Sequence, residues 1–157
     1  MIGSLMTTVL AAPPIRAQEP VILTLYAAGS DTPLRQYTLS DLKALPVASI
    51  ETDLPQALQI EGHHVWSGVP LEVIFAALGP HVDQISLDAL NDYSVTIPAE
   101  DISTYRPILA YSRDGQDIAV RDKGPMIVIY PFDQHAELEQ QTYLNRTIWQ
   151  VSEIRAQ

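Results

Sequence analysis

An α+β fold, mostly β with a few short helices, is predicted by three features of the sequence. Short runs of β-branched and aromatic residues recur along the chain. Clear helical spacing of apolar residues occurs in one segment only, and 12 Pro and 7 Gly break the runs with turns. Strands do not alternate regularly with helices, which argues against a parallel α/β sheet.

The elements follow in order. Residues 21–27 are the first expected strand, closed by the turn signal Gly29-Ser30-Asp31. Ser40 is placed to cap a short helix over Asp41-Leu42-Lys43-Ala44-Leu45, and Pro46 stops it because proline disfavours helical geometry in the residue before it. Strands are expected over 47–52 and 58–66, the second with a bulge or turn at Glu61-Gly62. The clearest helix is 70–78, with Pro70 in its first turn and Gly79-Pro80 as its stop. Strands at 84–87 and 93–97 flank Asn91-Asp92, and residues 98–102 offer a helical turn at most. Asp114-Gly115, between strands at 107–112 and 116–119, is a strong hairpin signal, since both residues tolerate the left-handed dihedrals of a tight turn. The unbroken apolar run 126–130 reads as the sheet's middle strand, buried on both faces. The polar stretch 135–143 is a loop or a short helix, and 147–154 alternates as the last strand.

A chain of 157 residues fits one domain with a core that needs no cross-links. The uncharged, mostly apolar or small residues 1–12, followed by Ala12-Pro13-Pro14-Ile15-Arg16-Ala17-Gln18, read as a signal peptide over 1–17 with a cut after Ala17. Residues 18–157 are then a single exported domain. No apolar run approaches the roughly 20 residues of a membrane span, so no membrane insertion of the mature domain is expected. A net charge of −10 opposes nucleic acid and anionic membranes as partners. With no cysteine, the chain has no disulfide, iron–sulfur cluster, thiolate metal site or cysteine nucleophile.

Ordinary catalytic signatures are weak. His63, His64, His81 and His135 lack the helical i, i+4 spacing or a nearby carboxylate, so no metal site is expected. Ser67 does not sit in a nucleophile elbow, and no glycine-rich phosphate loop occurs. Three clusters place polar residues beside apolar strands: Leu90-Asn91-Asp92-Tyr93-Ser94, Val120-Arg121-Asp122-Lys123-Gly124-Pro125, and Pro131-Phe132-Asp133 with the later Asn145-Arg146-Thr147-Ile148-Trp149. Singly, each residue reads as a turn, a solvated pair or core. Together, their Asp, Arg, Tyr and Trp suit a pocket for a flat polar ligand.

Five short segments in order, Leu39-Ser40-Asp41-Leu42-Lys43-Ala44-Leu45-Pro46, Trp66-Ser67-Gly68-Val69-Pro70-Leu71, Asp92-Tyr93-Ser94-Val95-Thr96-Ile97-Pro98, Ile108-Leu109-Ala110-Tyr111 and Lys123-Gly124-Pro125, resemble the oxidoreductase molybdopterin-binding domain of sulfite-oxidase type. The resemblance spans about residues 21–155. It implies the fold of that domain, and in its enzymes a cysteine in the region equivalent to 47–56 ligates molybdenum. That region here is Val-Ala-Ser-Ile-Glu-Thr-Asp-Leu-Pro-Gln, so molybdenum is not expected. The family's Gly-Gly-Pro stands as Lys123-Gly124-Pro125, and its Lys-Ser looks like Arg146-Thr147.

Arg-Asp-Lys-Gly-Pro, Tyr-Pro-Phe-Asp and Ile-Trp-Gln resemble a short periplasmic subgroup of pterin-binding regulatory proteins. The resemblance implies a pterin ligand and an inner-membrane signalling partner such as a cyclic-di-GMP enzyme. A pterin is flat and carries a 2-amino-4-oxo edge. A carboxylate can accept from that edge, an arginine can donate to it, and an aromatic ring can stack on its face. The expected ligand set is Asp92, Asp122 and Asp133 as carboxylates, Arg121 and Arg146 as donors, and Tyr93, Tyr130 and Trp149 as stacking rings. The alternatives are a molybdopterin-dependent oxidoreductase without a thiolate ligand, or a degenerate module that binds only a protein.

Overall fold

Ten strands in two five-stranded sheets and four short helices make up the part of the chain that the computed structural model describes, residues 17–157. The expected leader, but for Ala17, lies outside the described residues. The first sheet runs β2 (Pro33–Thr38), β1 (Val21–Tyr26), β10 (Val151–Ala156), β5 (Gln84–Ala89), β6 (Ser94–Pro98). The second runs β3 (Ala48–Asp53), β4 (His63–Pro70), β7 (Ile108–Arg113), β8 (Gln116–Asp117), with β9 (Ile127–Ile129) also on β7. Only β1 and β10 pair in parallel; the other pairs are antiparallel. The helices are α1 (Leu39–Lys43), α2 (Leu71–Ala77), α3 (Ala99–Tyr105) and α4 (Gln141–Arg146). The α+β class is as expected.

Alternation along the strands builds much of the core: Leu23 and Leu25 of β1 and Ile85 and Leu87 of β5 are fully buried. Val151 and Ile154 of β10 are fully buried as well, on either side of a register irregularity in that strand. From α2, Leu71 and Ile74, three residues apart, bury one helical face. Each such side chain contributes about 1.5–3 kcal/mol by leaving water. In the second sheet, β4 approaches β7 so closely at Gly68 that a Cβ would overlap the Leu109 carbonyl oxygen, and Gly124 meets the Ile118 carbonyl in the same way. Both motif glycines are therefore required sterically.

Several boundaries differ from the sequence expectation, each for a physical reason. β2 was not foreseen: it opens on a proline and its first four residues are exposed, as an edge strand permits, so it shows no apolar alternation. Thr38, rather than Ser40, caps α1. Its Oγ1 accepts from the Asp41 N–H at 3.2 Å while Asp41 Oδ2 accepts from the Thr38 N–H at 2.8 Å, a reciprocal capping box. The strand expected over 58–66 begins only at His63, because residues 56–58 form a 3-10 turn and Gln59 and Gly62 are left-handed at φ 55° and 94°.

The helical turn expected at 98–102 extends into the seven-residue α3, whose Asp101 and Ile102 are buried in tertiary contacts that local sequence does not reveal. The run 126–130 is buried as expected, but β9 is not the middle of the sheet. It pairs with β7 along one edge, and residues 148–151 cover the other, where Val128 N–H donates to Ile148 O at 2.9 Å and Val151 N–H to Met126 O at 3.2 Å. The last strand starts at Val151 rather than 147, since Gln150 is left-handed at φ 57°. The hairpin holds, with Asp114 and Gly115 at φ 52° and 79°. Among the described residues no helix is long and apolar enough to cross a membrane.

Candidate functional site

The short helix α4 has two chemically different faces. Gln141, Leu144 and Asn145, spaced i, i+3, i+4, line an open cleft, while Tyr143 and Arg146 turn toward a buried polar cluster.

The cleft has a volume of about 300 Å³. Its apolar walls are the rings of Tyr93 and Trp149 with Ala57, Leu58 and Leu144, and its polar groups are Asn91, Gln141, Asn145 and Thr147. Tyr93 enters from the β5–β6 turn, where Asn91 Oδ1 accepts its N–H at 3.3 Å, and its hydroxyl donates to the Asn145 carbonyl at 3.2 Å. Gln141 Nε2 donates to Asn145 Oδ1 at 2.8 Å. Among the described residues, Asn91 Nδ2, Asn145 Nδ2 and Gln141 Oε1 have no protein partner, which leaves both donors and an acceptor at the cleft. Lys123 Nζ lies 3.8 Å from the Trp149 ring centroid, a cation–π contact that holds the indole in place.

A second, strongly charged basin of about 420 Å³ adjoins the first. Residues 57 and 58 line the cleft while 59 and 60 line the basin, and Lys123 belongs to the basin. Arg113, Arg121 and Asp122 also line the basin, with Arg121 Nε 3.6 Å from Asp122 Oδ2. At its rim His64 Nδ1 lies 2.7 Å from Asp114 Oδ2. The Val65 N–H and then His64 hold the Asp114 carboxyl below its ordinary value.

Behind α4, Asp101 Oδ2 accepts from Tyr130 Oη at 3.0 Å and from Arg146 Nη1 at 2.7 Å. Tyr130 is fully buried, and burial, followed by the neighbouring Asp101 charge, pushes its hydroxyl well above the usual tyrosine range. Tyr105 Oη and Tyr143 Oη are 3.3 Å apart, and that bond raises the Tyr105 hydroxyl as well. This cluster satisfies itself.

The eight expected ligand residues do not converge. Tyr93 and Trp149 share the cleft, Arg121 and Asp122 the basin, and Tyr130 and Arg146 the buried cluster. Asp92 is a left-handed turn residue at φ 63°, which is the ordinary role of an Asp in a tight turn. Asp133 stands in an exposed group with Asp53 and His63. The expectation that His63 has no carboxylate near it is thereby corrected: the antiparallel register sets Asp53 directly opposite it, a pairing that linear spacing conceals. Asn91, Gln141 and Asn145, which line the cleft, were outside the expected ligand set. Asn91 and Asn145 stand in two of the polar clusters noted in the sequence, and the i, i+3, i+4 pattern of 141, 144 and 145 was the signal for Gln141.

No family model matches the sequence, and no curated protein matches it. Among solved structures, the crystal structure of the sulfane dehydrogenase SoxCD from Paracoccus pantotrophus is similar, with a TM-score of 0.60 at 17% sequence identity. The match covers 85% of this chain but only 37% of that one, so this chain spans little more than a third of its length. At that identity the likeness is one of fold, and the described domain shares the fold of the matching part of that dehydrogenase, in keeping with the oxidoreductase-type fold implied by the sequence motifs.

Proposed function

We propose that the chain is a binding module for a flat heteroaromatic of the pterin class, seated in the Tyr93–Trp149 cleft, and that it serves as a sensor or regulatory protein. The observation that carries this reading is the cleft itself: two aromatic rings flank a space edged by carboxamides with spare donors and acceptors. A carboxamide presents C=O beside N–H, the complement of a lactam edge, so Asn91, Gln141 and Asn145 fill the role that the sequence assigned to Asp and Arg. Lys123 sits where the cleft meets the basin and would face an anionic substituent on the ring. Export of the domain, and an inner-membrane signalling partner such as a cyclic-di-GMP enzyme, extend the proposal through the subgroup resemblance.

Thiolate-held molybdenum does not fit these residues. The chain has no cysteine, and the segment equivalent to the enzymes' ligand region is occupied structurally. There Ser49 Oγ and Ser67 Oγ are 2.8 Å apart, and the buried Thr52 Oγ1 accepts the Asp133 N–H at 3.1 Å. The second reading, a molybdopterin oxidoreductase, is favoured by the fold likeness to a dehydrogenase. Stoichiometric molybdenum in protein from the native host would establish it over the sensor.

The test is calorimetry of the untagged chain with 2-amino-4-oxopteridine. One ligand per chain is expected, with quenching of tryptophan emission that reports Trp149, since the other tryptophan, Trp66, is 1% exposed. Asp92→Asn and Asp133→Asn should leave the affinity within about twofold, as expected for surface residues outside the cleft. Folded protein that binds no pterin would transfer the reading to the protein-binding module. N-terminal sequencing in the native host tests export, and an intact Met1 would refute it.

A further inference from the structure

On the outward face of the second sheet, Glu51 and Asp53 of β3 flank His63 of β4, because Asp53 pairs directly with His63 and Glu51 lies two residues away on the same face. The group is built from both sides. His63 Nε2 is 3.1 Å from Glu51 Oε1, and Nδ1 faces the opposite side of the ring. There it meets Asp53 Oδ1 at 3.4 Å and Asp133 Oδ2 at 3.6 Å. Asp133 arrives from the 3-10 turn Phe132–Gln134. It is locked onto β3 twice: its N–H donates to the buried Thr52 Oγ1 at 3.1 Å, and its Oδ2 accepts the Asp53 N–H at 3.1 Å.

Hydrogen bonds from N–H to O cluster near 2.9–3.0 Å, so separations of 3.4 and 3.6 Å are longer than a well-formed hydrogen bond. By contrast His64 Nδ1 lies 2.7 Å from Asp114 Oδ2, within ordinary hydrogen-bonding distance. Donors about 2.1 Å from a tetrahedral zinc ion are roughly 3.4 Å from one another, which is the separation of Nδ1 from both carboxylates. The three donor atoms lie within 4.8 Å of one another. Glu51 then supplies the outer carboxylate that metal-bound histidines characteristically hold through their other nitrogen.

We propose that Asp53, His63 and Asp133 form a binding site for a divalent cation of the zinc type, with Glu51 orienting the imidazole and solvent completing the coordination. One nitrogen and two oxygen donors suit zinc better than calcium, which takes six to eight oxygens, or magnesium, which favours oxygen donors and keeps its waters. The site is separate from the aromatic cleft and does not depend on the pterin proposal.

Titration of the untagged full chain with ZnCl2 by calorimetry tests it. One Zn2+ per chain is expected. His63→Gln and Asp133→Asn should each weaken binding more than about 100-fold, and Glu51→Gln about tenfold, the scale of an outer-shell loss. His81→Gln should change nothing, and MgCl2 and CaCl2 should give no signal at this site. Histidine side-chain NMR of the wild-type protein keeps the test independent of how well the variants fold: Zn2+ should displace the His63 Nδ1 resonance and leave those of His64, His81 and His135 in place. Absence of Zn2+ binding, binding that survives His63→Gln, or movement confined to the other histidines would each overturn the proposal.

Discussion

The two sides of α4 put polar and aromatic residues to opposite ends. On the inner side Asp101, Tyr130 and Arg146 saturate one another, with side-chain exposures of 7% for Asp101 and 21% for Arg146. On the outer side Asn91, Gln141 and Asn145 keep spare hydrogen-bonding capacity beside Tyr93 and Trp149. Polar groups that complete each other define a scaffold, while polar groups with capacity left over can read a ligand. Chemical type does not separate the two sets, since an Arg–Asp–Tyr trio is as plausible a ligand set as two aromatics and three amides. What separates them is whether partners are already in place.

The largest effect should come from breaking the inner side. Asp101→Ala strips Arg146 and the Tyr130 hydroxyl of their acceptor and should lower stability by about 3–5 kcal/mol, toward the smaller figure because Arg146 can still reach water. Urea denaturation measures it. Pterin affinity of the folded fraction should stay within about twofold, and a large loss of affinity with little loss of stability would reverse the assignment of the two sides.

Trp149→Ala attacks the outer side. Loss of a stacked ring is worth roughly 1–3 kcal/mol, so pterin affinity should fall about 5- to 150-fold by calorimetry. Asn145→Leu sharpens the contrast at smaller scale. One neutral hydrogen bond of about 1 kcal/mol corresponds to an affinity loss of roughly fivefold, and stability at this exposed helix position should move by no more than about 0.5 kcal/mol. Equal affinity for the variant and the wild type would remove Asn145 from the ligand edge.

The smallest effect concerns a partnered group at the surface. Asp114 is held below its ordinary 3.8 chiefly by the Val65 N–H and then by His64. Its stabilisation is therefore complete above the unfolded value and fades as pH falls through the lower folded one. Stability curves of wild type and Asp114→Asn should differ at neutral pH and converge below pH 3.8. A difference that persists unchanged in acid would show that the carboxylate's charge is not involved.

The hairpin at Asp114-Gly115, the helix after Pro70 and the buried strands were legible because their causes are local: left-handed turn residues, a proline start, and β-branched runs between turns. β2 was illegible because an edge strand need not bury either face. α3 was underestimated because its anchors, Tyr130 and Arg146, lie 29 and 45 residues away. Of the residues lining the cleft, the expected ligand set contained the two rings and left out the amides, since an exposed Asn or Gln carries no mark of what stands across from it.

By itself, then, the sequence determined the α+β class, the glycine-bearing motifs and the impossibility of a thiolate ligand, all consequences of composition and near-neighbour geometry. Tertiary structure alone decided which of the eight expected ligand residues meet. Tyr130 and Arg146 turn inward because Asp101 offers a buried partner, and His63 acquires carboxylates because strand register brings Asp53 beside it and a distant turn brings Asp133. A side chain's role depends on which partners the fold sets beside it, and partners separated by tens of residues are chosen by the packing of whole elements.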